Sequence, residues 1–577
     1  MERRVLLAIF LSFLVLYAYQ ALVVKPGPKP PATASRSAGG STPAAEQAPA
    51  AAPLNPALQP EAPAGAAATP SAAPVLSEAA EREIRVETRD VIAVFTNRGA
   101  RLKSWRLKRF FDQQRQPQEL VANTLPGQPL PFTLRVADEQ ASSTLTNALY
   151  AVSSEPAADA TSSPVDIRFE YRDSAGLRAV KTFHLDPASY IITVDASVTQ
   201  GDRSVTPAIV WGPAVGDMGE MSRYTQSSEG LFFQNEKVVR LAAKDFAKQS
   251  AYEGDFKFVG VDDNYFLTVA LFPGPAKVSY RPVSIPPADP KGQPRELVSF
   301  SIEPSKTPIK FFVGPKDFDV LASIDRDFTR AINFGMFTLI VVPLLRSLKW
   351  VHSFAGNYGW SIVILTVMIN AIMFPLRHKS AVSMRKMQEI QPQVKAIQDR
   401  YAKLKTTDPA KQKMNQELMQ LYKERGVNPA SGCVPMLLTF PVLFAMWALL
   451  QTSIELRGAP WFGWIRDLSS HDPYFVLAVL MGVTGFWQQR MMPQTGADPA
   501  QQKMMMFMPL MMTVMLAWLP AGALIYYVVT NMWMIGQQYL TNYLIGPPNV
   551  RAAGRPAAER RVKRIGGGKT DAAARES

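Results

Sequence analysis

The stretch YGWSIVILTVMINAIMFPLR, Tyr358–Arg377, decides the fold of this chain. It is apolar from Trp360 to Leu376, aromatic at its start and basic at its end, which is the pattern of a membrane-spanning helix. Asn370 is a polar exception inside it, and Thr366 lies four residues earlier, on the same face of a helix. A polar stripe within the hydrocarbon layer is costly, so it requires a partner, a water-filled cavity or a function.

The composition places this helix in a long, basic membrane protein. The chain has 577 residues and a net charge of +14, and its basic residues collect beside apolar spans. That distribution favours membrane topology and anionic lipid over nucleic acid as the reason for the charge. Cys433 is the single cysteine, so the chain forms no internal disulfide.

The N-terminal segment also has the composition of a span. Residues 5–24 are apolar apart from Ser12 and Gln20, and Arg3 and Arg4 precede them. A signal peptide has a shorter apolar region and a small-residue cleavage site, so we predict an uncleaved anchor at 1–24 with its N-terminus in the cytoplasm. Residues 25–80 are rich in Ala, Pro, Ser and Gly, and this composition predicts an extended linker.

Short alternating strands follow, and we predict an extracytoplasmic all-β sandwich domain over residues 81–322. The clearest strands are VIAVFTN (91–97), VDIRFEY (165–171), YIITVDASV (190–198), NYFLTVALF (264–272) and ELVSFSI (296–302). This region holds one histidine, His184, without a metal-spaced cluster or a nucleophile motif. We therefore expect neither an enzyme nor a bound metal, although a ligand cleft stays open as an alternative.

Residues 323–356 contain the apolar run INFGMFTLIVVPLL, which is interrupted by Pro343 and followed by Arg346 and Lys349. The run is too short and too broken for a confident span. It predicts an amphipathic interfacial helix on the outer leaflet. A re-entrant or packed segment is the alternative.

Five apolar spans lie within residues 357–545, and with the N-terminal anchor they make six. The five are predicted at about 358–376, 434–454, 474–487, 504–519 and 523–540. Residues 377–428 carry 12 Lys and Arg, residues 455–473 carry two, and the tail at 546–577 carries eight. Because basic loops stay in the cytoplasm, we predict both termini inside and residues 25–357 outside.

The basic segment 380–426 between the first two of these spans predicts a cytoplasmic helical hairpin. Apolar residues repeat every seven positions in two series. The first is Met387, Val394 and Tyr401, and the second, three residues later, is Ile390, Ile397 and Leu404. Together they form the short a/d seam that is typical of paired helices. Asp408-Pro409 predicts the start of the second helix and Gly426 its end. Residues 377–428, which contain the hairpin, carry 12 − 5 = +7 charges. They indicate either a solvated face or a surface that docks anionic lipid, ribosomal RNA or a targeting factor.

Polar side chains recur in other spans. Thr439 lies in the span at 434–454, and the last span carries Tyr526, Tyr527 and Asn531. Single Thr or Tyr residues in spans are mostly packing, but several stripes together favour a shared interior cavity. The spans contain no acidic residue, which argues against a proton relay or a cation-coupled transporter.

The span at 504–519 is rich in methionine. These flexible side chains either contact varied apolar partners or face lipid. Seven occur within twelve residues: Met504, Met505, Met506, Met508, Met511, Met512 and Met515. Four of them, Met504, Met505, Met508 and Met512, are our candidate apolar client contacts.

Three segments together resemble the YidC/Oxa-type membrane protein insertases. They are GVNPASGCVPMLLTFPVLFAMWALL (426–450), ELRGAPWFGWIRDLSSHDPYFVLAVLMGVT (455–484) and DPAQQKMMMFMPLMMTVMLAWLPAGALIYYVVTN (498–531). The N-terminal anchor and large β domain resemble the Gram-negative form of that family. The resemblance is specific from about 355 to 545 and looser in the β domain, where it rests more on layout than on motif.

The resemblance implies a polytopic α-helical protein of the bacterial inner membrane that inserts and helps fold membrane proteins. It implies a five-helix core around a hydrophilic groove, open to the cytoplasm and lipid and closed toward the outside. The groove would be lined by Thr366, Asn370, Thr439, Tyr526, Tyr527 and Asn531. In the family a basic residue occupies the position of Asn370, so Arg377, nearly on the same helix face, is the candidate basic substitute. Arg377 reaching the cytoplasmic interface instead is the favoured alternative.

The resemblance also implies nascent membrane proteins and the Sec translocon as partners. The basic hairpin and tail are candidate contacts for the ribosome, the signal recognition particle pathway and anionic lipid. The chain has no Gly-rich Lys-Ser/Thr nucleotide loop, so we expect no cofactor and no ATP hydrolysis of its own. A channel or solute transporter, and a membrane-anchored periplasmic sugar-binding protein, are the alternatives from other classes.

Overall fold

A computed structural model of the chain describes residues 73–153 other than 113, 124 and 126, then 160–213, 227–285, 295–401, 410–427, 434–491 and 499–545. The predicted N-terminal anchor, most of the linker and the basic tail lie outside these residues. A β-rich region precedes a helical region along the described chain, in agreement with the order that the sequence predicts.

The strands of the described β-rich region all pair antiparallel with their neighbours. They are β1 Pro74–Leu76, β2 Glu83–Glu87, β3 Val91–Thr96, β4 Arg101–Phe111, β5 Pro117–Glu119, β6 Thr133–Arg135, β7 Ala151–Val152, β8 Val165–Asp173, β9 Leu177–Leu185, β10 Ile191–Gln200, β11 Arg203–Val205, β12 Ala208–Trp211, β13 Glu229–Gln234, β14 Lys237–Leu241, β15 Ala251–Asp262, β16 Phe266–Ile285, β17 Arg295–Pro304 and β18 Ile309–Pro315.

Two sheets are formed by these strands. The larger has 14 strands, with the main order β1-β8-β9-β10-β18-β16-β15-β13-β14, and the smaller has the order β2-β3-β4-β5. Strand β1 pairs with β8, so the sheet begins within the stretch whose composition resembles a linker. Alternating buried and exposed side chains along β8 and β9 explain why these segments adopt the period-two geometry of a half-buried strand.

Aromatic side chains join the two sheets. The Phe95 ring of β3 lies 4.9 Å from that of Phe183 on β9, between ring centroids, and Phe132 lies 5.4 Å from Phe183. The Trp105 indole on β4 donates to the carbonyl of Val313 on β18 at 3.0 Å. The two sheets thus share one core. The expectation of an all-β domain is wrong in one respect, since Glu139–Asn147 is a helix started by the Asp138 side chain as its N-cap.

Lys181 of β9 is a fully buried lysine in this shared core. Its Nζ donates to the carbonyls of Gly99 at 2.7 Å, Ala100 at 3.0 Å and Phe132 at 2.7 Å. Burial lowers its pKa, while three acceptors match the three N–H groups of the protonated form. The contacts attach the turn before β4 and the segment before β6 to the larger sheet.

Replacing Lys181 with methionine is expected to destabilise this junction by about 1–3 kcal/mol, because three buried carbonyls lose their donor. Hydrogen exchange of the β4 and β9 amides in the full chain measures the loss. Lys277→Met is the matched control, since Lys277 is about half exposed and lies 3.7 Å from Glu253. Equal exchange in the two variants would contradict the assigned role of Lys181.

The helices of the described chain are α1 Glu139–Asn147, α2 Phe318–Ile324, α3 Thr338–Ala355, α4 Tyr358–Arg400, α5 Ala410–Glu424, α6 Val434–Thr452, α7 Val476–Met491, α8 Pro499–Leu516 and α9 Ala521–Ile545. Among described residues, α4 is the one helix that is long and apolar enough to cross a membrane by length and composition. Thr439–Thr452 and Met506–Leu516 are shorter apolar helical stretches.

Helix α4 differs from the prediction of a span that ends near residue 376 and a separate hairpin helix from 380. It is continuous for 43 residues and contains Pro375 and Pro392. Strong helix formers fill the stretch after Pro375, and no glycine follows Gly359 within the helix to end it. The predicted membrane span and the predicted first arm of the hairpin are therefore one helix.

The other predicted boundaries differ by smaller amounts. Helix α3 continues through Pro343, which the sequence suggested would interrupt it. Helix α7 begins at Val476 rather than at 474, because Phe475 has a φ of +55° and the Asp472 carboxylate accepts the N–H of Leu477 at 2.8 Å. In the hairpin, Ile390 and Val394 pack against Val427, and Gly426 ends α5 with a φ of +63°, as predicted.

Candidate functional site

The polar stripe lies on α4 and is turned into the protein. Thr366 and Asn370 are both buried. The Thr366 hydroxyl donates to the carbonyl of Ile362 at 2.6 Å, and the Asn370 amide donates to the carbonyl of Thr366 at 2.8 Å. Backbone bonding of this kind lowers the cost of polar groups inside an apolar bundle.

Arg377 contacts the end of this stripe that lies nearer the C-terminus of α4. Its Nη1 donates to Asn370 Oδ1 at 2.5 Å, and its Nη2 lies 3.8 Å from Met373 Sδ. The half-buried guanidinium therefore turns back toward Asn370, whereas the favoured alternative had it extending to the cytoplasmic interface. Seven residues amount to nearly two full helical turns, which puts both side chains on one face.

Helix α9 forms the wall next to α4. It packs against both α4 and α7. Tyr526 is buried, Tyr527 is half-buried, and their ring centroids are 5.6 Å apart. The structure thus brings together Thr366, Asn370 and Arg377 on α4, and Tyr526 belongs to the helix that packs beside them.

Asn531 and Thr439 belong to other surfaces. The Asn531 amide donates to the carbonyl of Met481 at 3.3 Å and to the Thr484 hydroxyl at 3.2 Å, so it joins α9 to α7. Thr439 is half-buried on α6, which packs less closely on α4 than α9 does. The sequence did not identify Thr484 as a partner, because a single threonine in a span gives no signal of its orientation.

The methionine segment forms an outward apolar face on α8. Met508 is exposed and Met512 is half-buried, whereas the side chains of Met504 and Met505 lie outside the described residues. Other exposed apolar side chains on the same helix are Phe507, Leu510, Met511, Val514 and Met515. This face has the composition expected for contact with lipid or an apolar client segment.

Residues 453–472, which we call the cap loop, cover the N-terminal ends of α4 and α9. The Gly522 N–H donates to the carbonyl of Leu468 at 2.9 Å, and the Ala521 N–H donates to that of Ser470 at 2.8 Å. On α4, the Asn357 amide donates to the carbonyl of Pro460 at 3.0 Å. The loop is therefore hydrogen-bonded to the start of α9 and to the N-cap residue of α4, the helix that carries the polar stripe.

Apolar side chains of the cap loop, α4 and α9 form a buried layer next to the stripe. Ile362, Leu456, Leu468 and Leu524 are all buried within it. A Cβ built on Gly522 would lie 3.2 Å from Ile362 Cδ1 and 3.8 Å from Leu456 Cδ1, which shows how closely these groups meet. Thr366 follows Ile362 by one helical turn, so the stripe begins immediately after this apolar layer along α4.

The part of α4 that follows Arg377 is hydrogen-bonded to the C-terminal end of α9. His378 Nδ1 lies 3.5 Å from the Thr541 hydroxyl, and Arg385 hydrogen-bonds the Asn542 side chain. Arg385 and Thr541 are both buried. The sequence did not predict this contact, since its residues are 157 or more positions apart and carry no motif.

Two features of the described residues concern the possibility of a bound metal or of a ligand cleft in the β-rich region. Among the described residues, no group of three or more His, Cys, Asp or Glu is arranged to hold a metal. A shallow depression of about 300 Å³ lies on the solvent face of β8–β10, lined in part by Arg168, Arg178 and Ser197. Arg168 is already paired with Glu170 there.

Comparison with known proteins gives consistent matches over both regions. Residues 350–546 match the family model of the 60Kd inner membrane protein, and residues 83–347 match that of the YidC periplasmic domain. The membrane protein insertase YidC of Geobacter metallireducens is 32% identical over 564 residues, covering 94% of this chain and 98% of the relative. That of Syntrophus aciditrophicus is 31% identical over 569 residues, covering 94% and 99%. A crystal structure of an active YidC insertase with its first transmembrane domain resolved aligns at 18% identity and a TM-score of 0.35, over 82% of this chain and 95% of that one.

Proposed function

The chain belongs to the YidC family of membrane protein insertases, and we propose that it receives the polar outer segment of a client at the stripe formed by Thr366, Asn370 and Arg377. The observation that carries this proposal is the contact of Arg377 with Asn370, in a helix pair whose N-terminal ends are hydrogen-bonded to the cap loop. The guanidinium supplies positive charge to the end of the stripe that lies farther from the cap loop. In this chain Asn370 stands at the position that the family resemblance implies is basic, and Arg377, seven residues later, is the basic residue on that helix face.

The physical task of an insertase is to lower the barrier to moving polar groups through hydrocarbon. A client segment that crosses about 30 Å of bilayer strands its backbone N–H and C=O groups without partners. A polar path that reaches partway into the bilayer shortens the dry distance. Arg377 attracts acidic groups of the client to the start of that path, and buried hydrogen-bonding groups on α4 and α9 replace part of the lost water.

The apolar segment of the client leaves sideways in this proposal. The exposed side chains of Met508, Met511 and Met515 on α8 offer a flexible apolar surface beside lipid. Burial of client side chains in lipid supplies the driving force, at about 25 cal/mol per Å² of apolar area. No nucleotide hydrolysis is required for either step.

We also propose six membrane spans with both termini in the cytoplasm and residues 25–357 in the periplasm. The charge of the loops supports this topology, with 12 Lys and Arg in residues 377–428 against two in residues 455–473. Helix α3 would lie on the outer leaflet, because Leu339, Trp350 and Phe354 are exposed while Leu345 and Leu348 are buried.

Partners other than the client are proposed from charge. The α4–α5 hairpin and the tail at 546–577 are basic and cytoplasmic in this topology. They suit the ribosome, the signal recognition particle pathway or anionic lipid. We expect the chain to act alone or together with the Sec translocon, as the family resemblance implies.

Reconstitution tests the proposal. The purified chain in liposomes without nucleotide should insert a single-span client that has a short acidic outer segment, as measured by protection of that segment from added protease. Lipid vesicles alone provide the background. Ion flux across the same vesicles without client insertion would favour a channel and contradict the proposal.

A further inference from the structure

Lys349 of α3 is surrounded by three carboxylates from two other parts of the chain. Its Nζ lies 2.7 Å from Asp319 Oδ2, 2.8 Å from Glu455 Oε1 and 3.4 Å from Asp317 Oδ1. Asp317 and Asp319 belong to the start of α2, at the end of the β-rich region, whereas Glu455 belongs to the cap loop. One lysine therefore joins the β-rich region, the proposed interfacial helix and the cap loop.

The pair of Lys349 and Glu455 is the buried part of this cluster. The Glu455 side chain is 6% exposed, whereas that of Asp319 is 70% exposed. Burial raises the pKa of Glu455, and Lys349 opposes that rise. Burial also works to lower the pKa of Lys349, but the attraction of Glu455 and the hydrogen bond to Asp319 raise it above its ordinary range. A buried ion pair is costly to break because either partner alone is left uncompensated.

Because Glu455 belongs to the cap loop, its ion pair with Lys349 attaches the loop to α3. Glu455 lies three residues after α6 ends at Thr452, where the chain turns to cover the bundle. Leu456, the next residue, belongs to the apolar layer above Thr366. Movement of Glu455 away from Lys349 would therefore displace a member of that layer.

We propose that Lys349 is a positioning residue for insertion, which holds Glu455 and thereby keeps the cap loop seated over the polar stripe. This inference rests on the proposed role of the stripe, because closure of the outer side matters when a polar path opens from the cytoplasm. A stripe open on both sides would conduct water and small ions rather than direct a client. Lys349 thus keeps the path one-sided without touching the client.

The test measures access to the stripe from each side of the membrane. Thr366→Cys in a Cys433→Ser background provides a single thiol below the apolar layer. A membrane-impermeant maleimide is applied to right-side-out vesicles and, separately, to inverted vesicles that contain the full chain. No client is present, so the labelling result is independent of the insertion assay that tests the proposed function.

Two variants break the pair from opposite sides, and a third is the matched control. Lys349→Met and Glu455→Leu should each speed labelling from the outer side about tenfold, as when a minor open state rises from roughly 1% to roughly 10%. Labelling from the cytoplasmic side should not change. Asp319→Asn should leave both rates unchanged, because it removes an exposed partner that is not in the cap loop.

Two results would overturn the proposal. Unchanged outer labelling in either pair-breaking variant would show that the pair does not hold the cap loop. An equal rise from both sides would show that Lys349 supports the bundle as a whole rather than its outer closure. Glu455→Leu keeps the test decisive if Lys349→Met does not fold, because it leaves no unpaired carboxylate in the buried site.

Discussion

Replacing Arg377 with leucine is expected to lower insertion of a single-span client with an acidic outer segment by about ten- to a hundredfold. Hydrogen bonds to charged groups contribute about 1.5–3 kcal/mol, and each 1.4 kcal/mol is a factor of about ten. The loss arises because the stripe then holds only neutral groups and Asn370 Oδ1 loses its donor. Protease protection of the client segment in proteoliposomes measures the effect.

Lys379→Leu is the matched control for this prediction. Lys379 lies two residues further along α4, carries the same charge and is exposed. Its replacement should change insertion by less than a factor of about three, the effect expected of an exposed charge. An equal loss in the two variants would show that general positive charge near the cytoplasmic surface, rather than the Arg377 contact, supports insertion.

Moving the charge provides a second control on Arg377. Asn370→Arg in the Arg377→Leu background returns a basic group to the same helix face, seven residues earlier. Insertion should recover to at least half of the original level if the position of the charge along the stripe is interchangeable. No recovery in a protein of normal stability would mean that the bundle has adapted to an uncharged residue at 370.

The second large effect is expected at Gly359, where α4 meets the cap loop. A Cβ built on Gly359 would lie 2.1 Å from Trp461 Cδ1, 2.2 Å from its Cγ and 2.7 Å from its Cβ. The near part of the indole side chain cannot rotate away, so the loop itself must shift. Gly359→Ala should therefore destabilise the helical region by about 1–3 kcal/mol, the usual cost of overpacking.

Thermal unfolding of the solubilised full chain measures this loss, and Gly536→Ala is the control. Gly536 is also within a helix, but a Cβ built there meets nothing within 4 Å. Alanine at 536 should be neutral or stabilising, because glycine in a helix costs conformational entropy. If Gly359→Ala unfolds at the same temperature as Gly536→Ala, the close seating of Trp461 on α4 is wrong.

Periodicity and composition were sufficient for much of the fold. The alternation in segments such as 165–171 and 190–198 located strands β8 and β10, because one buried face imposes a period of two. The continuity of α4 into the hairpin was missed, because the end of the apolar run at Leu376 marks where the predicted span ends but not where the helix ends. Helix α1 was missed because nine residues of modest amphipathicity stand between strands.

The candidate site was predictable along one helix and less so between helices. Helical spacing alone put Thr366, Asn370 and Arg377 on one face, and the structure joins them. The orientation of Asn531 toward Thr484 depends on how α9 rotates against α7, which no local pattern specifies. The contact of Lys349 with Glu455 spans 106 residues of sequence, so neither residue indicates the other.

Site-specific crosslinking of a stalled client tests the central claim most directly. A photoreactive residue is placed at Asn370, inside the stripe, or at Ile372, which lies two residues away and is 77% exposed on another face of α4. We expect the polar outer segment of the client to crosslink from position 370 and not from 372. Crosslinks from 372 alone would place the client on the lipid-facing side of α4 and contradict the proposed path.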